Sequence, residues 1–251
     1  MKYLAYYTIG FQTSYIPVLE LSIKSLRKSN PDIDIRILCD TQFKEQIALM
    51  VPEAHICERP NSPTPQSASM QKLSVFREDT SAYDAVIFID SDILVGIPLS
   101  PLLSRIENEH ELYAFAEKEE QSAHTYIIWS LRNYSNSDLD FFKENNIRVI
   151  NAGLFAFKPT ETMKTHFDAI ETMIRNHSGP FFYEQSFMNV YFNTRNLVNY
   201  SVFTCDNYSM DVRPTTPPFM ILHFCGGPGN GISKLFRMRS YITHTNFFER
   251  V

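Results

Sequence analysis

The amino-acid sequence predicts an α/β fold in which helices cover both faces of a parallel sheet. Strand and helix patterns alternate over the first hundred residues, as they do in proteins of this class. The run AVIFI has no polar residue, which is typical of a parallel strand buried on both faces. Of the 251 residues, 44% are apolar and 20% are charged, which is a globular composition. We expect one domain over residues 1–251.

The first half of the chain sets out its elements in a regular order. Ile16, Leu19, Ile23 and Leu26 recur at helical spacing, and Asn30-Pro31 ends this helix. The predicted strands are 3–8, 33–37, 54–57 and 85–89, the other predicted helices are 43–50 and 70–78, and a proline-rich loop spans 58–69. Ligands of such sheets bind beyond the carboxyl ends of the strands, so candidate site residues should follow them.

The second half is less regular and contains no internal repeat. The predicted helices there are 99–107, 161–176 and 182–193, and the predicted strands are 111–117, 149–158 and 219–224. The C-terminal segment 234–251 mixes basic and aromatic residues. Both an ordinary terminal helix and a helix that touches a membrane surface remain open for this segment.

Charge and cysteine usage exclude several classes of protein. The net charge of −5 leaves no basic excess for nucleic acid. The N-terminal run lacks the pattern of a signal peptide, and the most apolar stretch contains Asp90 and Asp92, so we expect no transmembrane segment. Four cysteines without CxxC spacing argue against a zinc finger. We expect reduced thiols in a cytoplasmic protein, with two disulfides as the alternative.

Asp90-Ser91-Asp92 follows the AVIFI strand directly and is the strongest candidate site. Two carboxylates at the end of a buried strand are costly unless something neutralises them. A divalent cation would do so, because Mg²⁺ and Mn²⁺ prefer carboxylate oxygens. A pair of solvated acids in a loop is the alternative, but the position behind a buried strand favours a metal site.

His223 ends a second apolar run, ILHF, and offers an imidazole ligand for the same cation. Two carboxylates and one imidazole favour Mn²⁺ over Mg²⁺, since Mg²⁺ prefers oxygen ligands. A histidine packed in the core is the alternative. Half of the eight glycines follow in the turn CGGPGNG, where they allow the backbone to approach a phosphate closely. An ordinary flexible turn would also explain them.

These motifs resemble those of family 8 glycosyltransferases with the GT-A fold, the group that includes glycogenin. The matching blocks are LAYYTIGFQTSYIPVLELSIKSL, QKLSVFRE, YDAVIFIDSDILV, INAGLFAFK with YEQSFMN, and ILHFCG, and they span residues 3–226. DxD alone is a weak signature, but these blocks in this order are specific. The resemblance implies a Rossmann-like mixed sheet flanked by helices, with nucleotide binding over 1–98 and acceptor and donor-sugar binding over 99–251.

The resemblance implies that Asp90, Asp92 and His223 would bind Mn²⁺ (or Mg²⁺), which bridges the diphosphate of a nucleotide-sugar. Lys72 would sit beside the diphosphate or the donor sugar; taken alone, a solvated lysine is the alternative. Lys72 and the metal ligand Asp92 would both take part in catalysis. Gly226, which closes the block ILHFCG, would approach a phosphate.

The nucleotide and the sugar would contact further residues that match the family motifs. The resemblance implies that the base contacts Tyr7, Thr8 and Tyr15 and that the ribose lies near Ser91. It implies a sugar pocket lined by Asn151, Ala152 and Gly153. Glu184 and Gln185 are implied below the sugar. Gln185 would lie under the anomeric carbon, where the reaction occurs, and Glu184 would contact sugar hydroxyls. Tyr15 would stack on the base.

The chain departs from the family pattern at four points. Its opening loop TIGFQTSY is longer and lacks the Asp or Asn that is frequent near the base. The family usually continues after the histidine block with Lys-Pro-Trp, whereas this chain reads GGPGNGISK, so Lys234 is the candidate replacement for the phosphate-binding lysine. Glu184 stands where Asp is usual. The carboxylate that often follows the next strand has three candidates here, Glu117, Glu119 and Glu120.

The implied reaction moves a sugar from a nucleotide-diphosphate sugar, usually a UDP-sugar, to an acceptor hydroxyl with retention of anomeric configuration. Carbohydrate, lipid-linked and protein acceptors all remain open, and the 13 tyrosines leave self-glycosylation open. A lipid-linked acceptor would bring the protein to the membrane periphery. The alternatives are a non-catalytic nucleotide-sugar-binding scaffold on the same fold, a DxD phosphatase and a sugar-nucleotide pyrophosphorylase.

Overall fold

The structure, a computed structural model, describes residues 1–117, 140, 141, 144, 148–176, 184–225 and 231–251. Its strands are β1 (Tyr3–Ile9), β2 (Asp34–Asp40), β3 (His55–Arg59), β4 (Ala85–Ile89), β5 (Ile93–Val95), β6 (Leu112–Ala116), β7 (Ile150–Phe157), β8 (Val198–Asn199), β9 (Tyr208–Ser209) and β10 (Ile221–His223). Its α-helices are α1 (Ile16–Ser29), α2 (Lys44–Met50), α3 (Pro65–Ser69), α4 (Ser100–Leu103), α5 (Glu161–Arg175), α6 (Glu184–Thr194), α7 (Gly231–Thr245) and α8 (Phe247–Arg250). Segments of 3₁₀-helix cover Thr13–Tyr15, Thr41–Phe43 and Met70–Arg77.

The main sheet has the spatial order β3-β2-β1-β4-β7-β6-β8. The strands β1 to β4 run parallel, whereas β7 runs antiparallel between β4 and β6. The predicted α/β fold with a mixed, helix-flanked sheet is therefore confirmed. Because β1, β2 and β4 end at the edge where β7 begins, the residues after the parallel strands meet the first residues of β7 there.

A smaller sheet brings a late segment of the chain to this same edge. Its central strand β10 pairs with β5 on one side and with β9 on the other. The β5 pairing is antiparallel and sets His223 opposite Ile93. The backbone N–H of Phe224 also donates to the carbonyl of Asp92 at 3.0 Å. The histidine block is thereby held beside the second aspartate.

Apolar side chains cover both faces of the main sheet. One cluster includes Leu19 of α1 and Ile37 of β2, and the other includes Phe167 of α5 and Phe187 of α6. The strand β1 contributes Ala5 and Tyr7 to the first cluster and Leu4 and Tyr6 to the second. Burial on both faces explains why such strands read as continuous apolar runs.

Two predicted helices take a different form. The segment 70–77 is a 3₁₀-helix, although its residues lie where a helix was predicted. The helix predicted over 99–107 is limited to α4. Beyond it, the N–H groups of Glu107 and Asn108 donate to the Tyr113 hydroxyl at 3.2 and 3.0 Å, so they do not extend the helix.

The proline-rich segment 58–69, predicted as a loop, contains the short helix α3. The Thr64 hydroxyl accepts a hydrogen bond from the Ser67 N–H, and the Ser67 hydroxyl accepts one from the Thr64 N–H, both at 3.1 Å. This reciprocal pair is a capping box, and Pro65 occupies the first helical position, where proline is favoured. The sequence TPQS carried this signal. Farther along the chain, the strand predicted over 219–224 is limited to β10.

The C-terminal segment folds into α7 and α8, which pack through Met238, Tyr241 and Phe247. The prediction of an ordinary terminal helix agrees with this packing. Ile232 and Phe236 remain exposed on α7. In the described parts of the chain, no helix is long and apolar enough to cross a membrane.

Truncation of a core phenylalanine tests the packing between the sheet and α5. Phe155 is fully buried, and its ring centroid lies 4.9 Å from that of Phe88 and 6.1 Å from that of Phe167. We expect Phe155→Ala to lower the free energy of unfolding by about 3–5 kcal/mol, because it leaves a cavity. Urea unfolding measures this loss.

The matched control is Phe236→Ala, which removes a ring that is 73% exposed. Its effect should stay within about 0.5 kcal/mol. Equal losses in the two variants would contradict the core assignment.

Candidate active site

The turn after β4 places Asp90, Ser91 and Asp92 at the carboxyl edge of the main sheet. The N–H of Asp90 donates to the Gly153 carbonyl on β7 at 2.8 Å, and the N–H of Ile93 donates to the Asp90 carbonyl at 3.2 Å. The side chain of Asp92 is buried, whereas Asp90 and Ser91 are half-buried. Backbone hydrogen bonds thus fix the turn on both sides of the carboxylates.

The structure brings the predicted metal ligands together. His223 Nε2 lies 3.3 Å from Asp92 Oδ1, and one ligand atom from each of Asp90, Asp92 and His223 lies within 4.8 Å of the others. Gly153 leaves the room that this requires, because a Cβ there would lie 2.3 Å from His223 Cε1. Two carboxylates and an imidazole fit a divalent cation such as Mn²⁺.

Lys72 is the first cation beside these carboxylates. Its ammonium lies 3.2 Å from Asp90 Oδ1 and 2.7 Å from Glu184 Oε1, and it donates to the Ala152 carbonyl at 3.1 Å. Burial lowers the pKa of Lys72, but Asp90 and Glu184 raise it by more, so the ammonium stays charged. The sequence alternative of a solvated lysine is therefore wrong, since Lys72 is buried among acids.

Lys234 of α7 is the second cation, and its ammonium bonds directly to Asp92 Oδ2. Burial raises the pKa of Asp92, but His223 and Lys234 outweigh this effect, and the net pKa lies well below the ordinary value. Burial also raises the pKa of Asp90, and the charge of Lys72 offsets only part of that rise. The two acids of the motif therefore have pKa values shifted in opposite directions.

The start of β7 and of α6 supply amide groups beside the acids. The Gln185 side-chain oxygen accepts from the Ala152 N–H at 3.1 Å, and the Asn151 side-chain oxygen accepts from the Gly153 N–H at 2.9 Å. Glu117 Oε1 accepts from Asn151 Nδ2 at 2.8 Å and lies 3.5 Å from Gln185 Nε2. Burial raises the pKa of Glu117.

Glu117 is one of the three competing carboxylates that the sequence left open, and it lies beside Asn151 and Gln185. Glu119 and Glu120 lie outside the described residues, as does Gly226.

Lys234 and Gly231 belong to α7, and a Cβ on Gly231 would lie 2.2 Å from the Ser14 carbonyl oxygen. The start of α7 therefore packs directly against the segment that carries Tyr15.

The residues predicted for the base lie at the end of β1 and just after it. Thr8 and Tyr15 are half-buried. Tyr7 is fully buried, and its hydroxyl lies 3.3 Å from the Ser22 hydroxyl of α1. A contact between Tyr7 and a ligand would therefore come from its backbone, because its side chain packs into the core.

Asp40, which the sequence analysis did not single out, organises the same edge. Its carboxylate accepts from the N–H of Phe11 at 2.7 Å, from the N–H and hydroxyl of Ser62 at 3.0 and 2.9 Å, and from Gln71 Nε2 at 3.2 Å. Phe11 has a φ of 69°, a left-handed conformation that is costly for a bulky residue. A charged residue at the end of a buried strand was the available signal.

Comparison with solved structures identifies this architecture as the GT-A glycosyltransferase fold. The galactosyltransferase LgtC, solved with donor and acceptor sugar analogues, matches with a TM-score of 0.61 and 15% identity over 96% of this chain and 95% of its own. The glycosyltransferase GlyE of Streptococcus pneumoniae TIGR4 matches with a TM-score of 0.60 and 16% sequence identity, over 98% of this chain and 62% of its own. The bifunctional glycosyltransferase WbbM matches with a TM-score of 0.62 and 13% sequence identity, over 99% of this chain and 51% of its own. No protein-family model matches the chain, and no curated protein sequence does either.

The resemblance to family 8 glycosyltransferases is thus confirmed at the level of the fold. The predicted metal ligands lie with Lys72, Asn151 and Gln185 at one edge of the sheet, as the motif order predicts for a GT-A site. The particular contacts with a nucleotide and a sugar remain predictions.

The opposite pKa shifts of the two acids give a stability test. We expect Asp92→Asn to lower the free energy of unfolding by about 1–3 kcal/mol at pH 7 with chelator, because it leaves the Lys234 ammonium, whose side chain is 16% exposed, without its carboxylate partner. Asp90→Asn should instead raise stability, since it removes a half-buried carboxylate whose ionised form is disfavoured even with Lys72 beside it. Urea unfolding compares the two variants.

The effect of Asp92 should also depend on pH. Because its pKa is lowered in the folded chain, its stabilisation is complete well above the ordinary pKa of about 3.9 and is lost as the pH falls through and below that value. The difference between the wild type and Asp92→Asn should therefore narrow below about pH 4. Equal destabilisation by both substitutions at pH 7 would refute the assigned electrostatics.

Proposed function

We propose that this protein is a metal-dependent glycosyltransferase that moves a sugar from a nucleotide-diphosphate sugar, a UDP-sugar by family resemblance, to an acceptor hydroxyl. The observation that carries the proposal is the convergence of Asp90, Asp92 and His223 beside Lys72, at the ligand-binding edge of a GT-A fold. The first half of the chain, 1–98, binds the nucleotide, and 99–251 binds the sugar and the acceptor.

Departure of the diphosphate is the step that this charge arrangement supports. Cleavage of the bond between sugar and phosphate builds negative charge on the leaving group. A cation held by Asp90, Asp92 and His223 would bind the diphosphate and stabilise that charge. Lys72 and Lys234 lie beside the same carboxylates, and their fixed ammonium groups can stabilise the charge as it develops.

The remaining donor contacts follow the family resemblance. The base lies against Thr8, Tyr15 and the backbone of Tyr7, and the ribose lies near Ser91. Both half-buried side chains, Thr8 and Tyr15, are accessible for this role. Gly226, which lies outside the described residues, contributes to phosphate binding.

The sugar pocket lies at the start of β7 and of α6. Asn151, Ala152 and Gly153 line it, and Glu184 and Gln185 lie below the sugar. The bond between the Gln185 side-chain oxygen and the Ala152 N–H supports a fixed position for Gln185 under the anomeric carbon.

The reaction retains the anomeric configuration, as the resemblance implies. A carbohydrate, a lipid-linked sugar or a protein supplies the acceptor hydroxyl, and the exposed Ile232 and Phe236 of α7 support contact with the membrane periphery in the lipid-linked case. LgtC was solved with sugar analogues as donor and acceptor, which supports a sugar acceptor here. We assign the protein to the cytoplasm.

Thermal melting with a panel of nucleoside diphosphates tests donor and metal binding together. With one nucleotide at 100 times its dissociation constant and Mn²⁺ present, stability should rise by about 2.7 kcal/mol. For a chain of this size the melting temperature then rises by about 5–10 °C. Excess chelator should abolish the shift, because the diphosphate is held through the cation.

Two variants make this measurement specific. Asp92→Asn should lose the shift, whereas Cys57→Ser should keep it. Cys57 belongs to a second cluster of metal-binding side chains, with His55 and Glu78, which lies apart from the active site. Shifts that disappear in Cys57→Ser and persist in Asp92→Asn would place the metal elsewhere and overturn the proposal. Binding without sugar transfer from any donor would instead favour a scaffold, and phosphate release a phosphatase.

Glu117 offers a test of the sugar pocket. Its carboxylate holds Asn151 and approaches Gln185, so Glu117→Gln should misplace both amides. We expect kcat to fall by about 10²-fold with little change in nucleotide-dependent melting, because the metal ligands are retained. The control is Glu111→Gln, which changes a carboxylate bonded to Asn199. Full activity in Glu117→Gln would contradict this role.

A further inference from the structure

Tyr208 of β9 lies between two groups of the candidate site. Its hydroxyl is 2.6 Å from His223 Nδ1 and 3.3 Å from the side-chain oxygen of Asn151. The residue is buried, with 1% exposure. A tyrosine hydroxyl ordinarily has a pKa of about 10, so the phenol carries its proton at neutral pH. That proton can be donated to only one of the two neighbours.

The orientation of Asn151 decides which neighbour receives the proton. The Gly153 N–H donates to Asn151 Oδ1 at 2.9 Å, and Asn151 Nδ2 donates to Glu117 at 2.8 Å. These two bonds fix the amide with its oxygen toward Tyr208. If the tyrosine proton pointed to His223, two acceptor oxygens would face each other at 3.3 Å in a buried site with no proton between them.

The other ring nitrogen of His223 faces the aspartates. Nε2 lies 3.3 Å from Asp92 Oδ1, on the side where Asp90 and Asp92 gather. A metal-ligating nitrogen needs a free lone pair, so the single proton of a neutral ligating imidazole has to sit on Nδ1. The Tyr208 oxygen is placed to accept that Nδ1 proton while its own proton goes to Asn151.

We propose that Tyr208 is a positioning residue that holds His223 in the Nδ1–H tautomer and leaves Nε2 free for the cation. The inference rests on the metal site of the proposed function. In this arrangement His223 Nδ1–H donates to the Tyr208 hydroxyl, and the Tyr208 hydroxyl donates to Asn151 Oδ1. Asn151 Nδ2 in turn donates to Glu117. The metal ligand and the carboxylate beside Gln185 thereby share one directed chain of hydrogen bonds.

Nitrogen-15 NMR of the histidine rings tests the tautomer directly, without metal or activity. In a neutral imidazole the protonated and the unprotonated ring nitrogen have distinct nitrogen-15 shifts, so spectra recorded at alkaline pH show which nitrogen carries the proton. His223→Gln identifies the signals of this ring. We expect Nδ1–H in the wild type and a shift toward Nε2–H in Tyr208→Phe, because phenylalanine cannot accept the Nδ1 proton.

Calorimetric titration with Mn²⁺ alone measures the consequence for the cation. Tyr208→Phe should weaken Mn²⁺ binding by about 10- to 100-fold, which is typical when the partner of a ligating histidine is lost. Tyr113→Phe is the matched control. It removes another buried hydroxyl, which accepts from Glu107 and Asn108 away from the ligands, and its Mn²⁺ affinity should not change.

The outcomes separate this inference from the proposed function. An unchanged tautomer in Tyr208→Phe, or an unchanged Mn²⁺ affinity in a wild type that does bind, overturns the role of Tyr208. Equal weakening in Tyr113→Phe also overturns it, because the effect would then be general destabilisation. Absence of Mn²⁺ binding in the wild type overturns the metal-dependent function, and the two NMR spectra still decide the tautomer.

Discussion

The neutralisation of two acids at the end of β4 is the constraint on which the site depends. A buried carboxylate without a partner is costly, and Asp90 and Asp92 lie only two residues apart. The chain meets this cost with Lys72 from the 3₁₀ segment and Lys234 from α7, each bonded to a different acid. Two elements that are distant in sequence therefore each supply an ammonium group that neutralises a carboxylate of this turn.

Backbone pairing then decides which side chains surround the charges. The antiparallel register of β10 on β5 sets the histidine beside Asp92, and the bond from Asp90 to β7 sets Gly153 beside the histidine ring. The absence of a side chain at Gly153 matters here, because a Cβ would overlap the imidazole. The strand register and the small residue Gly153 together fix the distance between His223 and Asp92.

Much of this arrangement could be predicted from the sequence. The strand before Asp90 is apolar on both faces, and the run before His223 is similarly apolar. Each apolar run therefore predicts a buried strand, and the polar residue at its end predicts a site residue. The alternation of strands and helices gave the fold class for the same reason. The motif order then limited the candidate metal ligands to three residues that do converge.

Other parts could not be predicted, for physical reasons. Tyr208 lies in a strand of two residues, which is too short for any periodic signal, and its importance comes from neighbours distant in sequence. Glu117 was one of three acids that the sequence left open, and its bond to Asn151 is visible only in the structure. The segment 70–77 was predicted as a helix, and its sequence does not distinguish the 3₁₀ form that it adopts from an α-helix. Tyr7 matched a motif, but the sequence did not reveal that its ring turns into the core.

Asp40 has a consequence for the geometry of this end of the sheet. Its single carboxylate fastens the loop after β1, the segment around Ser62 and the segment that leads into Lys72. Because all three share one anchor, a displacement of any one changes the geometry available to the other two. A change in the geometry of this end of the sheet therefore involves all three segments together, because they share this aspartate.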